Sequence, residues 1–215
     1  MPHAAWPVDP GMIVPFLAAI ILIELTPGPN MAYLAALSAA HGRRAGLLAV
    51  AGVTCGLAVY MLAAVFGLTE MFRLYRPLYE LLRWMGVAYL VWMAWDAWRD
   101  GEEAEEAVDL TPAPWTLFRR GLLANLLNPK AALFYVSLLP GFIKTGHAGP
   151  TAQALILGSV HLLISIAIHG SIVLSADRAA GLLDRAQSRR WISRGLGVAL
   201  LVVAIWVVWE TRLRT

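Results

Sequence analysis

The sequence GPNMA at residues 28–32 interrupts a long apolar segment, and the sequence NPKAA at residues 128–132 interrupts another. The two stretches align when the chain is shifted by 100 residues. Proline suits the first position of a helix, where the N–H group that it lacks would have no intrahelical partner, and Asn is a preferred N-cap. Each stretch therefore predicts that one apolar helix ends and another begins within the same segment.

The composition of the chain indicates that these segments lie in a membrane. Of the 215 residues, 59% are apolar and 14% are charged, whereas soluble domains have about 25% charged residues. No Asp, Glu, Lys or Arg lies in residues 45–69, and Glu24 is the only one between Asp9 and Arg43. Apolar windows of this length can span a bilayer. The net charge of +3 comes from arginines between these windows, and without a nucleic-acid-binding signature we expect no nucleic-acid partner.

Six membrane spans are predicted, so we expect an all-α integral membrane protein in a lipid bilayer. Their approximate bounds are 13–38, 45–68, 78–98, 120–143, 151–176 and 191–209. An acidic, proline-containing linker at residues 100–119 separates a first three-helix repeat, 1–99, from a second, 120–215, within a single transmembrane domain. Small residues such as Gly52 in the second span are expected to let helices pack closely.

A second match between the two halves of the sequence supports an internal duplication. The sequences RWMGVA at residues 83–88 and RGLGVA at residues 194–199 align at a shift of 111 residues. With an odd number of helices in each repeat, the second repeat would be inverted in the membrane. Matched proline breaks in two repeats are the best sequence indication of a transporter's binding site. The alternative is that the prolines only kink the first and fourth helices for packing.

The distribution of positive charge predicts the orientation in the membrane. The connections after the first, third and fifth spans hold ten Lys and Arg residues, and those on the other side hold six. Cytoplasmic loops are enriched in Lys and Arg. We therefore expect both termini on the periplasmic or extracellular side.

Four titratable side chains lie inside the predicted spans: Glu24, Lys130, His161 and His169. Ionisable groups in a membrane are costly enough to be functional candidates. Glu24 lies one turn before the first break, where it could carry a proton or bind an ammonium group, and the two histidines could extend a proton path. Lys130 follows Asn128 by two residues, and it could meet a substrate carboxylate or pair with Glu24. A purely structural Glu24–Lys130 pair is left open, as is a structural role for the histidines.

The two helix starts could also bind an anion. N–H groups in the first turn of a helix have no intrahelical partners, and in hydrocarbon they are tolerated only where protein or a water-filled cavity surrounds them. The positive end of the helix dipole favours a negative group such as a carboxylate. The predicted substrate site therefore combines Glu24 and Lys130 with the residues of the two starts, which are Gly28, Pro29, Asn30, Asn128 and Pro129.

The sequence contains no motif of an enzyme or of a nucleotide-driven pump. It has no Gly-x-Ser-x-Gly elbow, no His-Glu-x-x-His and no Walker loop. Cys55 is the only cysteine, which excludes an intramolecular disulfide and a Cys-based metal cluster. We therefore expect a carrier driven by an ion gradient, with neither catalytic residues nor a cofactor.

The two proline motifs resemble those of a known family. TPGPN at residues 26–30 and NLLNPKAALF at residues 125–134 are similar to the two signatures of the lysine-exporter superfamily, which includes homoserine and threonine efflux permeases. The resemblance covers essentially the whole chain. It implies export of amino acids from the cytoplasm across a bacterial inner membrane, driven by the proton motive force, and it adds Thr26 and Asn125 to the substrate site.

Two features depart from the family pattern. Relatives commonly have Pro-Gln-Phe where this chain has PGF at residues 140–142. An acid at position 24 is not general in the family, and we therefore expect Glu24 to mark an ammonium contact specific to the substrate.

The predicted function is secondary-active, proton-coupled export of an amino acid or a close derivative, such as homoserine, threonine or lysine. The alternative within transport is efflux of a metal cation, for which only Glu24, His161 and His169 could be ligands and which Lys130 would oppose. A non-transporting membrane scaffold or an intramembrane enzyme is a third alternative. The sequence leaves open which amino acid is carried and whether the protein is a homo-oligomer.

Overall fold

A computed structural model describes residues 6–26, 28–67, 75–103 and 112–181, together with 194–195, 197–198, 200–202, 204–205 and 208–209. Within these ranges every regular element is helical, as the composition predicts, and the positions described between 194 and 209 are helical too. The elements are α1 (Pro10–Leu25), α2 (Pro29–Val65), α3 (Arg76–Glu103), α4 (Pro114–Leu126), α5 (Pro129–Leu133), a π-helical turn π1 (Phe134–Leu138), α6 (Leu139–Phe142) and α7 (Pro150–Gly181).

The first predicted break is present between α1 and α2. Thr26 ends α1, and both its N–H and its hydroxyl donate to the carbonyl of Leu22, at 3.0 and 2.6 Å. Gly28 then has extended backbone and Pro29 is the first residue of α2. The N–H of Ala32 donates to the carbonyl of Gly28 at 3.1 Å, which is the first intrahelical bond after the break.

The second predicted break is present between α4 and α5, and Pro129 begins the new helix there as Pro29 does at the first break. Asn128 is the N-cap, and its side-chain oxygen accepts from the N–H of Lys130 at 3.0 Å. Ala132 donates to the carbonyl of Asn128 at 3.2 Å, as Ala32 does to Gly28. The two halves of this apolar segment are bent by 49°. Both breaks predicted from proline and cap chemistry are confirmed.

A turn at Gly42 divides α2 into two helical stretches. Gly42 has a φ of 82°, in the left-handed region that residues with a side chain rarely adopt. The N–H of Arg43, which begins the second stretch, donates to the side chain of Asp177 on α7 at 3.1 Å. Residues 29–41 therefore complete the first broken segment, and the stretch from Arg43 to Val65 corresponds to the predicted second span.

Two glycines bring α2 and α4 into backbone contact. A Cβ atom on Gly52 would overlap the carbonyl oxygen of Phe118, and one on Gly121 would overlap that of Ala49. Glycine is therefore required on both sides of this interface, as small residues are in many membrane helix pairs. The close packing expected at Gly52 is confirmed.

The distribution of polar and apolar side chains is that of a protein surrounded by lipid. Large apolar side chains are exposed on the outside, for example Val14 (74%), Leu163 (67%) and Trp95 (65%). Polar side chains including Glu24, Asn125 and His161 are buried inside. By length and composition α2 and α7 can each cross a membrane, and the bent α4–α6 segment would be a third crossing.

The described residues include the third and fifth predicted spans but only part of the linker and of the sixth span. α3 contains the predicted third span, and α7 contains the fifth. Residues 104–111 of the linker lie outside the described residues, as do several positions of the sixth span. The division into two repeats, 1–99 and 120–215, stays a prediction.

Candidate functional site

A pocket lies where the two helix breaks meet, enclosed by α1, α2, α4, α5, π1 and α7. Eight of the eleven predicted site residues line it, namely Glu24, Gly28, Asn30, Asn125, Asn128, Lys130, His161 and His169. The other three, Thr26, Pro29 and Pro129, do not line it and instead shape the adjoining backbone. Residues from helices far apart in sequence are thus brought together, and their role in substrate binding stays a prediction.

Apolar side chains form the rest of the wall. They come from α1, α2, α5 and π1 and are Ile23, Met31, Leu57, Ala131 and Phe134. Such a mixture of an apolar lining with a few convergent polar groups is typical of small-molecule sites.

Lys130 reaches across from the second break to the first. Its ammonium group donates to the carbonyl of Thr26 at 2.8 Å, which satisfies a carbonyl left without a partner at the end of α1. Its side chain also lies against Gly28, where an added Cβ atom would be 3.7 Å from the Lys130 nitrogen. Lys130 does not form the ion pair with Glu24 that the sequence left open, because Glu24 is paired with α7 instead.

Glu24 is buried between the two histidines of α7. Its Oε1 lies 2.9 Å from Nε2 of His161, and its Oε2 lies 3.5 Å from Nε2 of His169. The hydroxyl of Ser165 lies 3.4 Å from Oε2. The carboxyl group therefore meets both histidines that the sequence suggested for a proton path.

Hydroxyl groups hold the far side of both imidazole rings. Nδ1 of His161 lies 3.2 Å from the hydroxyl of Tyr135, and Nδ1 of His169 lies 3.0 Å from that of Ser165. Tyr135 belongs to π1, and π-helical turns are often found at functional sites. Tyr135 was not predicted as a site residue from the sequence, although it carries a hydroxyl group in the helical segment that follows the second break.

An amide pair joins the two breaks. The side-chain nitrogen of Asn30 donates to the side-chain oxygen of Asn125 at 2.9 Å, with exposures of 7% and 0%. The Asn30 oxygen and the Asn125 nitrogen are buried and have no hydrogen-bond partner in the described part of the protein. A buried polar atom without a partner costs about 1–3 kcal/mol, and both atoms belong to residues that line the pocket.

The start of α2 offers further donors beside this pair. Gly28 has no side chain to cap the helix, and no side-chain cap bond is present there. At the second break, by contrast, Asn128 caps its own helix. The first turn of α2 therefore has no side-chain cap, and two of its residues, Asn30 and Met31, line the pocket at the positive end of the helix.

The described residues do not assemble a metal centre. No group of three or more His, Cys, Asp or Glu side chains among them could hold a metal ion. Lys130 lines the same pocket as Glu24 and the histidines and would repel a cation. The metal-efflux alternative therefore gains no support from this geometry.

The sequence profile of the LysE-type translocators matches residues 21–211 of the chain. The chain belongs to this family. The matched region includes both helix breaks and every lining residue of the pocket. The family resemblance that the two proline motifs suggested is confirmed.

Similar proteins come from several bacteria. The homoserine/homoserine lactone efflux protein of Salmonella typhimurium is 28% identical over 193 residues, which cover 87% of this chain and 91% of that protein. The leucine efflux protein of Klebsiella pneumoniae is 33% identical over 164 residues, covering 75% and 77% of the two chains. An uncharacterized membrane protein of Pseudomonas aeruginosa is 32% identical over 178 residues, covering 80% and 82%. No solved structure matches the chain significantly.

Proposed function

We propose that this LysE-type translocator is a secondary-active exporter of amino acids from the cytoplasm across the bacterial inner membrane. The proposal is supported by similarity to proteins named for efflux of homoserine and of leucine. It is carried by one observation in this chain, the pocket between the two helix breaks that holds a buried acid, a lysine and two unpartnered amide atoms.

The substrate's two charged groups would be recognised by different walls of the pocket. The carboxylate would be bound by Lys130, the amide nitrogen of Asn125 and the positive end of α2 at its first turn. The ammonium group would be bound by Glu24 and the amide oxygen of Asn30. Each charged group of the substrate would thus meet groups of opposite character, and charge-assisted hydrogen bonds are stronger than neutral ones.

Six membrane spans in two inverted repeats are part of the same proposal. Support for the inversion comes from the two broken segments, which run in opposite directions. Phe16 near the start of the first segment packs against Phe142 at the end of the second, with ring centroids 5.1 Å apart. The carbonyl of Pro7 accepts from the N–H of Ala148 at the same end of the molecule. Rocking of the two repeats about the pocket would then alternate access.

The driving force is proposed to be the proton motive force, with no cofactor. Glu24, His161 and His169 would form the proton path. The proposal is supported by the contacts of the Glu24 carboxyl group of α1 with the two histidines of α7, at 2.9 and 3.5 Å.

Counterflow into proteoliposomes tests the substrate class. Proteoliposomes that contain the protein are loaded with one unlabelled amino acid, and uptake of labelled homoserine, threonine, leucine and lysine is measured. Lys130→Met should reduce the apparent affinity about ten- to a hundredfold, since a hydrogen bond to a charged group contributes about 1.5–3 kcal/mol and 1.4 kcal/mol is tenfold.

The matched control is Lys144→Met, which changes the only other lysine. Lys144 is exposed in the loop before α7, and this variant should transport as the unchanged protein does. Undiminished counterflow by both Lys130→Met and Glu24→Gln would end the proposed substrate site.

A further inference from the structure

The two oxygens of the Glu24 carboxyl group are held unequally. Oε1 makes one short contact, 2.9 Å to Nε2 of His161. Oε2 makes only long ones, 3.4 Å to the hydroxyl of Ser165 and 3.5 Å to Nε2 of His169. Hydrogen bonds weaken towards 3.5 Å, so Oε1 is anchored and Oε2 is the oxygen that can take another partner.

Both histidines can change their charge without losing their contacts. Each presents Nε2 to Glu24 and Nδ1 to a hydroxyl, that of Tyr135 for His161 and that of Ser165 for His169. A hydroxyl can donate to a neutral ring nitrogen or accept from a protonated one. A proton can therefore enter or leave either ring while the ring keeps its position.

The surroundings require Glu24 to be either protonated or paired with a positive group. Glu24 is 8% exposed, and an isolated carboxylate is not tolerated in an apolar interior. Among the described residues, the titratable groups that face it are His161 and His169 from α7 and Lys130 from α5, with Tyr135 behind His161. The residues of α2 that line the pocket carry no titratable side chain.

We infer that Glu24 Oε2 binds the substrate's ammonium group and a proton in turn, so that one proton enters this site for each ammonium group that leaves it. The inference rests on the proposed function. Without substrate, the proton resides on Oε2 or on Nε2 of His169. When the ammonium group binds, that O–H or N–H bond breaks and one proton is released to water; no other bond changes. For a zwitterionic substrate, each cycle then moves one positive charge inwards.

The pH dependence of substrate affinity tests this exchange. Counterflow of the best substrate among homoserine, threonine, leucine and lysine is measured with equal pH on both sides, from pH 8.5 to pH 5.5. Protons compete with the ammonium group, so the apparent KM should rise as the pH falls, by up to about tenfold per pH unit once the site is protonated. Glu24→Gln replaces the carboxylate with a neutral amide and should abolish this dependence of the apparent KM on pH.

Proton release gives a second readout that does not require transport. Purified protein in weakly buffered detergent solution, at a pH where the site is protonated, should release close to one proton per bound substrate, and Glu24→Gln should release none. His147→Gln is the control, because the half-buried His147 lies in the loop before α7, outside the pocket, and its ring makes a hydrogen bond to the carbonyl of Trp6. It should behave as the unchanged protein in both assays.

Two results would overturn the inference while leaving amino-acid export intact. One is an apparent KM of the unchanged protein that stays constant across this pH range with active counterflow. The other is a pH slope or a proton release that persists in Glu24→Gln. Absence of counterflow for every amino acid would instead overturn the proposed function, and this inference with it.

Discussion

At the scale of single residues, the two helix breaks are stabilised by side chains that satisfy the last carbonyls. The ammonium group of Lys130 donates to the carbonyl of Thr26 at 2.8 Å. The hydroxyl of Tyr60 donates to the carbonyl of Leu126, the last residue of α4, at 2.6 Å. In hydrocarbon, water cannot replace such a partner. Both breaks therefore depend on a donor supplied from another helix.

Tyr60→Phe should destabilise the second break. The variant keeps a ring to stack on Tyr135, whose centroid lies 6.1 Å away, but leaves the Leu126 carbonyl without this donor. A buried carbonyl that loses its partner costs about 1–3 kcal/mol. We expect a lower Tm in detergent, followed by tryptophan fluorescence. Tyr75→Phe, at an exposed tyrosine, is the control, and an equal Tm for both variants would contradict the assigned role.

Local rules predicted the caps but not the partners. Asn128 could be recognised as an N-cap because capping depends only on neighbouring residues. In the structure, the N–H of Lys130 donates to the side-chain oxygen of Asn128. The partner of Glu24 could not be chosen in this way, since His161 lies 137 residues further along the chain. Lys130 was left open as an ion-pair partner for Glu24. In the structure, α1 packs on α7, and Glu24 contacts the two histidines instead.

At the scale of helices, the interface of α2 and α4 depends on glycines, which have no side chain to keep the two backbones apart. A methyl group at Gly52 would meet the backbone oxygen of Phe118, and backbone cannot rotate away as a flexible side chain can. Overpacking of this kind typically costs about 1–3 kcal/mol. We therefore expect Gly52→Ala to lower the Tm and the yield of folded protein.

Gly170 provides the matched control for this interface. It lies within α7, and a Cβ atom there would meet no atom within 4 Å. Gly170→Ala should be neutral or stabilising, because alanine is favoured over glycine in a helix by up to about 1 kcal/mol. Equal loss of stability in the two variants would mean that glycine matters for its backbone and not for the close approach.

Helix periodicity could not predict every local element. The spans and their proline breaks follow from composition and from the chemistry of Pro and Asn. The π-helical turn at Phe134–Leu138 was not among the predicted elements, and it lies against α7, where Phe134 and Tyr135 contact His161. That turn supplies Tyr135 to the site, which explains why this residue was missed.

At the scale of the whole molecule, contacts define two opposite ends. The N-terminal tail meets the loop before α7 at one end, through Trp6 and His147. Arg43 meets Asp177 near the end of α7 at the other. α7 has 32 residues, and at about 1.5 Å per residue it is longer than the roughly 30 Å of a bilayer core. If α7 spans the membrane, the two ends lie on opposite sides.

Cysteine accessibility tests the orientation that the positive charges predict. In a Cys55→Ser background, Trp6→Cys and Thr145→Cys should react with an impermeant maleimide in intact cells, because the end that carries the N-terminal tail is expected outside the cytoplasm. Arg178→Cys, at the opposite end, should react only after the cells are permeabilised. The reverse pattern would invert the proposed topology and keep the spans. Equal reactivity of all three in intact cells would contradict a membrane-spanning α7, and with it the pocket's place between two compartments.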